Sequence, residues 1–385
     1  MKRVFGSLLA MLVLMAAAPG TRLRPTRPPR APAFLEPIGW PKYCGTLSMS
    51  GTPTGGSSIN ILTAPRLMLA WSTGVNGPIA SAPSVFRNTL YVGDWGGYET
   101  AIETENGKVV ARANLGMTNA PQCDPSTLGV TSSPAIADGV IYLAGGDDSF
   151  YALDAGDLSV IWKKTMGDNS ASGGYYGWSS PAVVGERVIQ GVSSNCDNPF
   201  VPGRLVAIDR NTGNEVASAS FIGDGKIGNG VWTSPTVNLR NRKIFVTTAS
   251  GLDFSDGLGY SIVRLNLDTL AIEDSWKVGA ADSTWDADWG SSPTLFSDRT
   301  GRQLVGAGHK DGHYYAFDQT NLAQGPVWTA TVAQMGEVPQ SGDGTLSTAA
   351  FDGARLYVGG GTPADTNDAY AHGTVVAVDP AKGSI

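Results

Sequence analysis

Short apolar runs separated by polar, glycine-rich turns recur along the chain, and the passage "SSPAIADGVIYLAGGDDSFYALDAGDLSVIWKKTM" shows the pattern most plainly. Its spacing predicts strands at 133–137, 140–144, 149–154 and 159–165, with Asp138-Gly139 as a tight hairpin turn between the first two. Four antiparallel strands in about fifty residues form one unit.

The unit repeats. Ser-Pro or Ala-Pro steps open similar passages at Pro83, Pro134, Pro181, Pro235 and Pro293, spaced by 51, 47, 54 and 58 residues. A sixth copy, "STAAFDGARLYVGGG", has Ala349 where proline would fall. A second marker sits near each third strand: Asp154, Asp209, Asp318 and Asp379, with Glu103 and Asn266 in the other copies. A side chain there that accepts hydrogen bonds from the following turn, ahead of a tryptophan packing on the next unit, accounts for it. Trp162 and Trp328 hold that outer-strand place, and Ala111 and Ala217 replace it in two copies. Four-stranded units of this length stacked radially make an all-β fold, a β-propeller, with a solenoid as the alternative. Six units are visible, and the sixth stops at "DPAKGSI" before its outer strand, so the ring as written is incomplete.

Composition sharpens this picture. Of 385 residues 42% are hydrophobic, and 50 Gly with 23 Pro supply the many turns that short strands need. Residues 1–18 carry two basic residues, an apolar run and small residues at Ala16 and Ala18, the layout of a cleaved signal peptide; a retained anchor is the alternative, but the run is short for a span of about 20 residues. Residues 19–40, rich in Pro and Arg, read as an extended linker ahead of a propeller at 41–385. No later run is long enough to cross a bilayer, so the expected location is secreted or periplasmic. Beyond residue 40 the chain holds 21 basic against 33 acidic residues, a net charge of −12 that argues against nucleic acid as a partner. The cysteines, Cys44, Cys123 and Cys196, allow at most one internal disulfide, and no C-x-x-C or C-x-x-C-H occurs to hold a zinc ribbon or a covalent c-type haem.

The repeat resembles that of the quinoprotein dehydrogenase-like family, roughly A-x-D-x-x-T-G-x-x-x-W, whose propellers have eight or sometimes seven blades. The stretch "WPKYCGTLSMSGTPTGG…APRLMLAWSTGV" also resembles that family's leading segment. The likeness covers residues 40–385 and is nearest in look to the secreted polyvinyl-alcohol-dehydrogenase type. It implies pyrroloquinoline quinone at the ring axis above Ca²⁺ or a lanthanide, and oxidation of an alcohol by an aspartate base with hydride passing to the quinone.

Under that resemblance "WDAD" at 285–288 supplies Asp286 as the base and Asp288 as a metal ligand; two carboxylates at i and i+2 on an extended strand point the same way. The plain alternative is that the step only caps a strand. Lys310, in "GAGHKDGHYYAFDQTN", would touch the quinone oxygen, or else be a solvated lysine in an Asp311-Gly312 hairpin. The family's Gly-Asn metal step falls on Ala249-Ser250, and its glutamate ligand on Asp197, both weaker matches. Its adjacent-cysteine ring is absent. Trp178, Trp232 and Trp289 recur where blades open, either to floor a planar cofactor or to pack between blades. Cys123 and Cys196, on loops of neighbouring blades, are the expected disulfide, leaving Cys44 unpaired. His309 and His313 flank a hairpin, where i, i+4 spacing is no metal face, and "GDGKIG" is a loop that opens no helix. The expected function is oxidation of a small-molecule or polymeric alcohol, with electrons leaving to a separate acceptor such as a cytochrome. The rival is a non-catalytic propeller scaffold for a protein partner, as in outer-membrane-assembly relatives; Ala249-Ser250 and the missing glutamate favour it.

Overall fold

The computed structural model describes residues 39–53, 57–279, 286, 288–334, 344–362 and 373–385. The expected signal peptide and residues 19–38 of the expected linker lie outside the described residues, as do Trp285 and Ala287 of the WDAD step. Within Glu36–Ile385 the chain forms successive antiparallel meanders, the blades of a β-propeller. Blade 1 comprises Ser84–Phe86, Thr89–Gly93, Tyr98–Glu103 and Val109–Asn114; blade 2 comprises Ala135–Ala137, Val140–Ala144, Ser149–Asp154 and Val160–Thr165. Blade 3 (Ala182–Val184, Arg187–Ser194, Arg204–Asp209, Glu215–Ser220) gains a short extra strand, Tyr175–Tyr176, paired to Arg187–Ser194. Blade 4 runs through Thr236–Asn238, Lys243–Thr247, Ser261–Asn266 and Ile272–Lys277, and blade 5 through Thr294–Ser297, Gln303–Gly308, His313–Asp318 and Trp328–Thr331. Blade 6 has three described strands, Ala350–Phe351, Leu356–Gly360 and Thr374–Val378.

The central strands are buried on both faces, which is why "VIYLA" reads as a continuous apolar run rather than an alternating one. Tyr142, Phe150 and Ala152 of blade 2 pack against Val188, Val206 and Ile208 of blade 3, while Leu143, Tyr151 and Leu153 pack against Tyr91 and Ala101 of blade 1. The Asp138-Gly139 turn has φ of 51° and 76°, the left-handed pair that a two-residue hairpin of this twist requires.

The repeated Ser-Pro step closes a ladder around the ring. The backbone N–H of Ala82 donates to Ser133 Oγ (2.8 Å), Ser133 N–H to Ser180 Oγ (2.9 Å), Ser180 N–H to Ser234 Oγ (2.9 Å), and Ser234 N–H to Ser292 Oγ (2.8 Å). Ser292 N–H completes the series on Thr348 Oγ1 at 3.2 Å. The first strands accordingly start two residues later than the pattern suggested, at 135 in blade 2, because the serine turns aside to meet the neighbouring blade. On the outside, Trp162 Nε1 donates to the Arg210 carbonyl and Trp328 Nε1 to the Pro380 carbonyl, both at 2.9 Å. Each ring lies so close over a glycine of the next blade, Gly213 or Gly383, that a Cβ there would meet it at 2.7 or 2.5 Å. Trp71 makes the same lock on blade 1, with Nε1 donating to the Thr104 carbonyl at 2.8 Å. The marker side chains brace the turns beneath: Asp209 Oδ1 accepts from the Asn211 and Thr212 N–H groups at 3.0 and 2.8 Å, and the Asn266 amide Oδ1 does the same for Asp268 and Thr269.

One segment has no counterpart in the repeat. Residues 39–51 cross the innermost strands of five blades: Gly39–Trp40 pairs with blade 1, and the carbonyls of Pro41, Leu47, Ser48 and Ser50 accept from Ile136, Val237, Leu295 and Phe351 at 2.7–2.9 Å. Trp40, placed by sequence at the end of the linker, is thus already paired to Val85.

Candidate functional site

Asp288 and Lys310 come together because the chain leaving blade 4 meets the hairpin between the second and third strands of blade 5: Lys310 N–H donates to the Asp288 carbonyl at 3.1 Å, and Trp289 bridges His309. Asp286 does not lie on an extended strand; its φ of 64° marks a turn, and that turn, rather than strand alternation, brings both carboxylates to one ammonium. Lys310 Nζ stands 2.9 Å from Asp286 Oδ1 and 2.7 Å from Asp288 Oδ1. Its side chain is 8% exposed, so the solvated-hairpin reading of this lysine does not hold. Nζ also lies 5.3 Å from the centre of the Trp232 ring.

From Asp288 the network runs into two further blades. Asp288 Oδ2 accepts from Trp232 Nε1 and from the Ser250 backbone N–H, each at 3.2 Å. Ser250 Oγ donates to Asp197 Oδ2 at 3.0 Å, and Ser194 Oγ donates to Asp197 Oδ1. Trp178 Nε1 donates to the carbonyls of Ser194 and Asn195, both at 3.0 Å, with its ring edge-on to Tyr176. Asp197, Ser250, Asp288, Asp286, Lys310, Trp232 and Trp178 are therefore one connected set drawn from three blades. Trp289 stands apart: it is 0% exposed and packs among Trp276, Tyr315, Phe317 and His309, beneath the site rather than facing into it.

The charge is unbalanced. Asp288, 2% exposed, and Asp286, 20% exposed, share one ammonium, and a third aspartate, Asp197, joins the set through Ser250. Burial pushes Asp197 up to about 6, with Asp288 adding to the rise and the hydrogen bond from Ser194 opposing it. Burial likewise raises Asp286, with Lys310 pulling the other way. Burial depresses Lys310, but Asp288 and Asp286 outweigh it and leave the ammonium firmly protonated. Asp288 is buried and its carboxylate is shared, Oδ1 facing the Lys310 ammonium and Oδ2 facing Trp232 and Ser250. The Asp288 and Asp197 carboxylates with the Ser250 hydroxyl between them are oxygen donors of the type that suits a hard cation such as Ca²⁺ or a lanthanide. Among the described residues no three His, Cys, Asp or Glu side chains are grouped so as to hold a metal ion by themselves.

Ser194 carries part of this site and was not singled out by sequence; its place three residues before Asp197, in "SSNCD", is the spacing at which a hydroxyl meets a turn carboxylate. The hairpin that presents Lys310 is likewise braced by a buried carboxylate, Asp311, which accepts from the His313 N–H at 2.9 Å and from the Tyr315 hydroxyl at 2.5 Å. The i, i+2, i+4 alternation of Asp311, His313 and Tyr315 in the sequence was the available signal. Cys123 and Cys196 form a disulfide, with Cα atoms 5.8 Å apart, and Cys44 is free and partly buried.

Comparison with known proteins gives a consistent picture. A polyvinylalcohol dehydrogenase of Pseudomonas sp. is 23% identical over 338 residues, covering 77% of this chain but 51% of the relative. The crystal structure of the quinohemoprotein alcohol dehydrogenase from Comamonas testosteroni superposes with a TM-score of 0.66 at 18% identity, covering 90% of this chain and 66% of that one. A europium-containing methanol dehydrogenase superposes with a TM-score of 0.70, also at 18% identity, covering 91% and 77%. The chain thus spans about half the length of the curated relative, and the structural likenesses show the fold. The PQQ_2 family model, described as outer membrane protein assembly factor BamB, matches residues 58–321, and the chain belongs to this family of quinoprotein-dehydrogenase-like β-propellers.

Proposed function

We propose that the chain forms the dehydrogenase propeller of an exported, pyrroloquinoline-quinone-dependent alcohol oxidoreductase. The observation that carries this is the connected set of Asp286, Asp288, Lys310, Trp232, Ser250 and Asp197, a largely buried cluster with three carboxylates and one ammonium. Asp197, Asp288 and Ser250 would hold the cation, Ca²⁺ or a lanthanide, and Lys310 and the half-buried Trp232 would flank the quinone. Pyrroloquinoline quinone, when bound, would supply a two-electron oxidant able to take up the hydride of the carbinol carbon. Asp286 accepts the hydroxyl proton as that hydride departs, so the alcohol loses two electrons and two hydrogens and becomes a carbonyl. Burial that raises Asp286 makes it a stronger base, and the Lys310 ammonium opposes that rise. Rate should therefore fall as pH drops through the Asp286 titration. Electrons would leave to a separate acceptor, such as a cytochrome.

Reconstitution tests this: the protein is loaded with the quinone plus Ca²⁺ or La³⁺ and assayed on small and polymeric alcohols with an artificial electron acceptor. Dye reduction that falls at least about 10²-fold in Asp286→Asn supports the base assignment; activity equal to wild type in that variant removes it. A second reading, a non-catalytic scaffold for a protein partner, is favoured by Lys310 itself, which fills the space between Asp286 and Asp288 as a structural ion pair would. Absence of dye reduction with both cations would leave that reading.

A further inference from the structure

The loop that carries Asp197 is held on both sides by the tip of one hairpin. Thr118–Asn119 and Thr127–Leu128 pair as a short hairpin between blades 1 and 2, and its tip presents Gln122 and Cys123 to the loop of blade 3. Cys123 is bonded to Cys196, 73 residues away in sequence. The Gln122 side-chain amide donates to the Asn198 carbonyl at 2.8 Å and to the Ala171 carbonyl at 2.7 Å. Cys196 and Asn198 are the two chain neighbours of Asp197. Asp197 sits at φ 56°, a left-handed conformation that is uncommon outside glycine and that aspartate adopts more readily than most residues. In that conformation its two oxygens meet Ser194 and Ser250, and through Ser250 it joins Asp288.

We infer that the Gln122-Cys123 tip is a positioning element for Asp197, so that the cation affinity of the site depends on the Cys123–Cys196 bond and, to a smaller extent, on the Gln122 amide. This rests on the reading of Asp197 and Asp288 as ligands. Gln122 and Cys123 act through the backbone at 196–198: they fix where the Asp197 carboxylate sits before a cation arrives, and a loop released from them spends less time in the ligating arrangement. Partners that orient a ligand in this way commonly change metal affinity by about 10–100-fold.

The test is a Tb³⁺ titration of the whole protein, read by terbium emission sensitised by Trp232, whose indole nitrogen is 3.2 Å from Asp288. Wild type, Cys123→Ser, the Cys123→Ser/Cys196→Ser double variant, Gln122→Ala and Asp288→Asn are compared, each with a thermal melt in the absence of cation. Terbium affinity about 10–100-fold weaker in the folded cysteine variants, and weakened less in Gln122→Ala, is the expected result. Wild-type affinity in a folded cysteine variant overturns the inference and leaves the ligand reading intact. If the cysteine variants do not fold, native protein treated with a phosphine reductant and Gln122→Ala carry the test, and unchanged affinity in both overturns it. Failure of the wild type to bind terbium in an Asp288-dependent way removes the ligand reading and the inference together.

Discussion

Replacing Lys310 with methionine keeps most of the apolar stem, one atom shorter, and removes the charge that holds the buried Asp288 and the partly buried Asp286 together. In wild type Nζ is 2.9 Å from Asp286 and 2.7 Å from Asp288. At an effective dielectric of 20 each contact amounts to about 6 kcal/mol of attraction before the cost of desolvating the ammonium is subtracted. Deleting one partner of such a buried pair typically costs about 3–5 kcal/mol, because the remaining charges are left uncompensated. Lys310→Met should therefore lose about 3–5 kcal/mol at pH 7 in cation-free buffer. The loss should shrink toward pH 4, since Lys310 holds the Asp286 carboxyl down against the rise that burial causes, and without the ammonium Asp286 takes up a proton more readily. Adding La³⁺ at a hundred times its dissociation constant should return about 2.7 kcal/mol to the variant, the lanthanide standing in for the missing charge. Urea unfolding at pH 7 and pH 4, with and without La³⁺, measures all three. A loss below about 1 kcal/mol that is the same at both pH values and indifferent to La³⁺ would refute the electrostatic reasoning.

Two further expectations concern the scaffold. Asp148 is 1% exposed with Oδ2 lacking a partner, and burial together with Asp147 pushes its pKa up from 3.8 to about 7. Its contribution to stability is fully present below pH 4 and is lost as pH rises through 7, each tenfold difference in proton affinity between the folded and unfolded chain being worth about 1.4 kcal/mol. Asp148→Asn, which tolerates the left-handed φ of 53°, should thus melt with wild type at pH 4 and be more stable at pH 8.5 by up to about 4 kcal/mol; equal stability at pH 8.5 counts against it. Ser180→Ala leaves the Ser133 N–H without its acceptor across the blade boundary and should cost about 1–3 kcal/mol, seen in calorimetry as a lowered Tm. A Tm unchanged within experimental error would mean that the serine ladder does not hold the ring.

The blade plan was legible because each unit repeats its own chemistry. The Ser-Pro step, the hairpin glycines and the turn aspartates recur at matched places, and each does one local job that needs that residue type. The tryptophan lock was legible at Trp162 and Trp328 but not at Trp71, which has no repeat unit around it to define its place. The crossing segment at 39–51 was not legible either, since it interacts through backbone carbonyls that leave no side-chain signature. In the site, Asp286 and Asp288 of the WDAD step and Lys310 stood out through the family resemblance. The structure joins them, by a turn at Asp286 rather than by strand alternation. Trp289 shares its sequence context with Trp178 and Trp232, yet is buried beneath the site, because its neighbours Trp276, Tyr315 and Phe317 enclose it. Such enclosure depends on residues scattered over two blades, which a local pattern does not carry.

The most direct measurement is an equilibrium titration of the cation-free protein with pyrroloquinoline quinone in the presence and absence of La³⁺, followed by the quinone absorbance and by quenching of tryptophan emission. Saturable one-to-one binding that strengthens with La³⁺ and is lost in Asp288→Asn is the expected result. Quinone absorbance unaltered by the protein at every concentration, with or without La³⁺, would contradict the assignment of this cluster as a cation and quinone site.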